Sequence, residues 1–255
     1  MVVNSLFRPY QGEAVAMGEM ERKGRTPSEQ HFRSCRQLYE QAVEDTEEFL
    51  GKEAKPGLET YLMEQKEGKR DDLTRGFFSV RNDGGHVITL LPGQEHKKWE
   101  EKLKSTVSHE YSHSVYFLEA EDDEEIYRKL LYRPDNLEKI LAEGYAVTRA
   151  EKVKEINRYS VENSFSNPEK TREPEEIKQL LEPRMNNMFA EKEKHEFDYK
   201  VSRQLFDSLT ERVPPEKVPT LDRDDARRML KESAEIIYGR NNVFDLYTDF
   251  SIYSI

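Results

Sequence analysis

Hydrophobic positions along this chain follow two rhythms. From Pro27 to Leu50 they return every three or four residues, so that Phe32, Cys35, Leu38, Tyr39, Ala42, Val43, Thr46, Phe49 and Leu50 share one stripe of an amphipathic helix. Thr26-Pro27-Ser28-Glu29 offers a hydroxyl cap, a first-turn proline and an acid, and Gly51 offers the stop. After the Lys55-Pro56-Gly57 turn, Leu58 to Glu67 is expected to form a second, short helix ended by Gly68. Then the rhythm changes. Gly76 to Val80 and His86 to Leu91 are β-prone runs on either side of Asn82-Asp83-Gly84-Gly85, which signals a hairpin.

The helical rhythm resumes beyond Pro92-Gly93. No Pro or Gly interrupts the chain between Gln94 and Pro134, and Val107, Tyr111, Ser114, Val115 and Leu118 form a less polar stripe. Pro134-Asp135-Asn136 reads as a cap for a helix from Leu137 to about Ile156, with Leu137, Ile140, Leu141, Tyr145 and Thr148 on one side and Gly144 inside it. Asn157 to Pro183 is polar and broken at Pro168 and Pro174, as in a flap or helical insertion. A helix from Asn186 to Leu209 has Met188, Phe189, Phe197, Val201, Leu205 and Leu209 as core candidates. Val213 to Pro219 is expected to be an extended linker. Thr220-Leu221-Asp222 caps a last amphipathic helix from Arg223 to Tyr238.

These elements predict an α+β, predominantly helical fold with a small antiparallel sheet or hairpin. The expected organisation is an N-terminal arm over 1–25 and a single domain over 26–255. That domain has a helical part at 26–70, strands and central helices at 75–156, and a helical part at 157–255. No internal repeat is visible.

Composition narrows the classes. Charged residues make up 36% of the 255 and hydrophobic residues 35%, with a net charge of −11. An acidic surface repels phosphate backbones, which disfavours nucleic-acid binding. No apolar run approaches a membrane span, and Met-Val-Val-Asn-Ser-Leu-Phe is too short for a signal sequence. The single cysteine, Cys35, excludes an internal disulfide and suits a reducing compartment. A cytoplasmic protein with no nucleic-acid or membrane partner is expected. The acidic run Glu119 to Glu125 lacks the alternation and glycine of a calcium loop and reads as a solvated face.

The chemistry concentrates in His109-Glu110-Tyr111-Ser112-His113. Histidines four apart on a helix point the same way and can hold one Zn²⁺ from a single face. Glu110 then stands beside the ion as a general base. The bland alternative is a solvated helix carrying these letters by chance.

A catalytic zinc needs a third protein ligand. The metzincin spacing would need glycine at position 116 and histidine at 119, where this chain has Tyr116 and Glu119. Glu143, in Leu-Ala-Glu-Gly-Tyr-Ala, lies on a separate helix after room for a return pass, and Gly144 beside it permits close helix approach. His31, His86, His96 and His195 are the remaining, distant candidates. His86 begins a strand that is a candidate sheet edge and could instead contact substrate. Tyr145, Tyr247 and Tyr253 are conceivable oxyanion donors.

Ser-His-Glu-Tyr-Ser-His followed by Ile-Leu-Ala-Glu-Gly-Tyr-Ala resembles the gluzincin-type metallopeptidases. It most resembles predicted zinc-dependent proteases with an H-E-Y-x-H motif and a later A-E-G-x-A motif. The resemblance spans roughly Phe77 to Ala150. It implies a zincin-like fold with the glutamate helix packed on the motif helix, one zinc ion held by His109, His113 and Glu143, and Glu110 as catalytic acid/base. Ala-Glu-Gly-Tyr-Ala-Val replaces the thermolysin-like N-E-x-x-S-D, so that version's outer aspartate has no counterpart. A Tyr238-Gly239 turn is present as in many members, and the segment after it matches them loosely. The expected activity is peptide-bond hydrolysis of a peptide or protein substrate. The alternative is a zincin scaffold that binds one protein partner, with cleavage restricted or lost.

Overall fold

Residues 20–23, 29–63, 76–81, 84–90, 99–120, 136–157 and 191–239 are described by the computed structural model. The chain divides into two compact units, one of residues 7–118 and 149–161, the other of 1–6, 119–148 and 162–255. Among the described residues no helix is long and apolar enough to cross a membrane.

The first unit holds a four-stranded sheet: β1 (Met20–Lys23), β2 (Glu59–Met63), β3 (Gly76–Val80) and β4 (His86–Leu90), in the order β1-β2-β4-β3. β1 runs parallel to β2, and β2 parallel to β4, while β3 pairs antiparallel with β4. The hairpin expected between residues 76 and 91 is present. The Arg81 N–H donates to the Gly85 carbonyl at 2.8 Å at its mouth, and Gly84 turns the chain at φ +80°. Parallel pairs need crossovers, and α1 (Glu29–Leu50) is the crossover between β1 and β2. Cys35, Ala42 and Thr46 from its predicted stripe are fully buried, and Gly51 ends it at φ +63°.

Three expectations change here. Leu58 to Glu67 is not a helix, because Glu59–Met63 is strand β2 with partners on both sides. Thr60 and Leu62, two apart, are its buried side chains, the period of a pleat rather than of a helical turn. The sheet is mixed rather than purely antiparallel, and Met20–Lys23, placed in the arm, supplies one of its strands. His86–Leu90 is not an edge. It lies between β2 and β3 with all five residues buried, as expected of a strand covered on both faces. Among the described residues the antiparallel edge is β3.

α2 (Trp99–Ala120) follows, with Glu100 and Glu101 favourably placed in its first turn. α3 (Asn136–Ile156) contributes residues 136–148 to the second unit and 149–156 to the first.

The second unit is helical in its described residues: the first part of α3, then α4 (Glu191–Thr210) and α5 (Arg223–Tyr238). Val201, Leu205, Phe206 and Leu209 of α4 are fully buried. α5 has the bounds that the sequence predicts. The Asp222 carboxylate accepts from the N–H groups of Asp224 and Asp225, at 3.0 and 2.9 Å, and Gly239 closes the helix at φ +68°. The expected linker before it is partly folded. Pro215–Lys217 forms a 3-10 turn that buries Val218 and Pro219, because the Arg223 guanidinium gathers the carbonyls of Val218, Pro219 and Leu221. Met188, Phe189, His96, and all but Asn157 of the polar segment from Asn157 to Pro183 lie outside the described residues.

Candidate metal centre

The stripe predicted for α2 understates its burial. From Val107 to Phe117 every residue but His109 is buried, so this stretch is not a solvated helix face. The polar members of this turn are carried by hydrogen bonds. Ser108 Oγ lies 3.0 Å from Thr46 Oγ1 on α1. Ser112 Oγ donates to the Ser108 carbonyl at 2.7 Å. The Tyr111 hydroxyl donates to the Glu47 carboxylate and accepts from the Ala54 N–H at 2.8 Å. Burial, with the Glu47 interaction adding to it, raises the Tyr111 phenol above its ordinary pKa, so it stays a donor throughout the physiological range. Ser114 Oγ meets His86 Nδ1 at 2.8 Å. Ser108 and Tyr111 thus fasten the motif's helix to α1 and to the loop after it, while Ser114 fastens it to β4.

His109 and His113 are then left to face one another. Their Nε2 atoms are 3.2 Å apart and their rings meet edge to face, with centroids at 4.8 Å. Two nitrogens bound at about 2.0–2.1 Å to a tetrahedral ion stand about 3.3–3.4 Å apart, so the pair already has the bite that zinc requires. Single ligand atoms of His109, His113 and Glu143 all lie within 4.8 Å of one another. Glu110 is buried and stands outside that trio. The group that could bind a metal is therefore the one that the spacing and the downstream acid predict.

The α3 turn carrying Glu143 is set by close packing. A Cβ on Gly144 would come 2.5 Å from Phe206 Cβ and 2.8 Å from the Ser202 carbonyl oxygen on α4. The close helix approach expected of Gly144 is thus made against α4. Tyr145 is buried with its ring edge-on to Phe206, at 6.0 Å. Near the start of α3, Glu138 Oε1 accepts from Arg223 Nε at 2.7 Å, both side chains being buried.

His86 does not join the ligands, and it is not placed to touch substrate. It is 1% exposed, and burial, assisted by the Lys55 charge, holds its pKa down to about 3. His31 and His195 sit on α1 and α4, with side chains outside the described set. Tyr247 and Tyr253 also lie outside it. The roles of the serines at 108 and 112 were missed by sequence reasoning, and Ser114 was placed only on the less polar stripe. Their only signal is a run of small hydroxyls within one helix.

No protein-family model matches the chain, and neither a curated protein nor a solved structure matches it.

Proposed function

We propose that the protein is a zinc-dependent metallopeptidase of the gluzincin type, with zinc held by His109, His113 and Glu143. The observation that carries this reading is the convergence of those three donors, two imidazoles and one carboxylate, a set that suits Zn²⁺ among the divalent ions. The chemistry supplied by such an ion is Lewis acidity toward the scissile carbonyl and toward water. Glu110, adjacent to His109 and not itself a ligand, takes the proton of the attacking water on its carboxylate and returns it to the leaving amine.

An extended peptide suits β3. It has one strand partner among the described residues, so its outer hydrogen-bonding groups can take an added strand, and its Phe78 ring stacks on His113. The substrate class in this reading is a peptide or an unfolded stretch of protein.

Glu110→Gln is expected to bind zinc as the parent does and to lower peptidase turnover by a thousandfold or more, on the order of 4 kcal/mol of transition-state stabilisation. His113→Ala is expected to lose both zinc and turnover. Metal content by elemental analysis, together with digestion of a peptide library with and without a chelator, checks both. Full turnover in the Glu110→Gln protein would end the mechanism. Stoichiometric zinc with no cleavage of any peptide would favour the partner-binding scaffold instead.

A further inference from the structure

We infer that Phe78 is a positioning residue for the metal centre, its ring fixing the His113 imidazole in the orientation that brings Nε2 to Nε2 of His109. The inference rests on the metal-centre reading above and extends it to a side chain on a different element. A histidine ring turns about a broad, two-fold χ2, so a ligand imidazole must be held by what it touches.

The Phe78 ring stands beside that of His113 in an offset, nearly parallel arrangement, with the planes 24° apart and the centroids at 6.1 Å. Phe78 is itself held. It is buried, meets His86 edge-on at 5.1 Å and meets Phe117 at 5.2 Å. His86 in turn bonds to Ser114, the residue after His113. The contacts close a circuit: His113 to Phe78 on β3, Phe78 to His86 on β4, His86 to Ser114, and Ser114 back to His113 along the helix. Rotation of the His113 ring would have to displace Phe78, and Phe78 is hemmed in by two further rings. His109, half-buried, lies outside this circuit.

The test uses the full chain, stripped of metal and titrated with Co²⁺, whose visible bands report coordination geometry. Zn²⁺ affinity is measured against a chelator. Phe78→Leu keeps apolar bulk but removes the ring. It is expected to weaken Zn²⁺ binding about tenfold, the lower end of what removing a ligand's supporting contact does, and to shift or broaden the Co²⁺ bands. Phe78→Tyr retains the ring and is expected to bind within about twofold of the parent, even if its added hydroxyl lowers the unfolding midpoint. Phe77→Leu, on the opposite face of the same strand, controls for general loosening of β3. Phe78→Met replaces the leucine variant should that fail to fold.

Parent-like affinity and an unchanged Co²⁺ spectrum in the ringless variant would overturn the inference while leaving the metal centre standing. If the parent chain bound neither ion, the metal-centre reading itself would fall, and the role of Phe78 with it.

Discussion

The two helices that carry the candidate ligands are both buried far beyond what their letters suggest, and they are fixed by different physics. α2 buries hydroxyls and a phenol, which meet the Thr46 hydroxyl on α1, the Ala54 N–H in the loop after it and the His86 imidazole on β4. A charged partner among these ties is the Glu47 carboxylate, met by the Tyr111 hydroxyl. α3 instead buries a formal ion pair, Glu138 with Arg223, and brings Gly144 to within a missing methyl group of α4. Neutral hydrogen bonds are worth about 1 kcal/mol each and can be lost singly. A buried charge cannot lose its partner so cheaply. The turn holding two histidines is therefore distributed over many small ties, whereas the turn holding the acid depends on a few large ones.

The contrast is sharpest in Arg223→Ala. Leaving Glu138 buried without its guanidinium, and freeing three loop carbonyls, is expected to cost about 3–5 kcal/mol. Urea unfolding measures this, and a loss under 1 kcal/mol would mean that the pair is not the anchor of α3. Gly144→Ala comes next. A methyl group pressed against backbone oxygen and a Cβ forces α3 and α4 apart, for about 2 kcal/mol net of the small helix-propensity gain. Zinc affinity should fall together with stability, since Glu143 is the adjacent residue.

The third experiment makes α2's neutral anchor charged. His86 has a folded pKa of about 3 against an ordinary 6.5. As pH falls below 6.5 the unfolded chain takes up the proton first, so stability is lost from there downward, and the loss levels off below about 3. Near pH 5 it should be on the order of 2 kcal/mol. Denaturation midpoints measured across that range, in the parent and in His86→Gln, check it. A variant with the same acid slope as the parent would remove His86 from the account.

Much of this arrangement is legible in the chain because it is local. The motif spacing, Glu143 beside Gly144, and the Asp222 and Gly239 helix ends are each decided within a few residues. What is not legible depends on partners far away in sequence. Glu59–Met63 is too short to separate a pleat from a turn of helix, and it becomes a strand because Met20–Lys23 and His86–Leu90 flank it. The sheet order is equally non-local, although His-Val-Ile-Thr-Leu, nearly continuous in apolar or β-branched residues, carries the hint of an interior strand. The Ser108, Ser112 and Ser114 hydroxyls have no periodic signature. Only their neighbours reveal that they are satisfied. The role of Arg223 was hidden for the same reason, since its carboxylate partner is Glu138, 85 positions earlier.

The pairing of β1 with β2 has a further bearing on handling the protein. A shortened chain starting at Thr26, the natural cut if the first 25 residues were taken for a dispensable tail, would strip Met20–Lys23 from the sheet and leave one side of β2 with bare amide and carbonyl groups. Such an uncovered strand recruits others like it. The cost of that trimming would appear first as self-association and precipitation, before any effect on the histidines about ninety residues downstream.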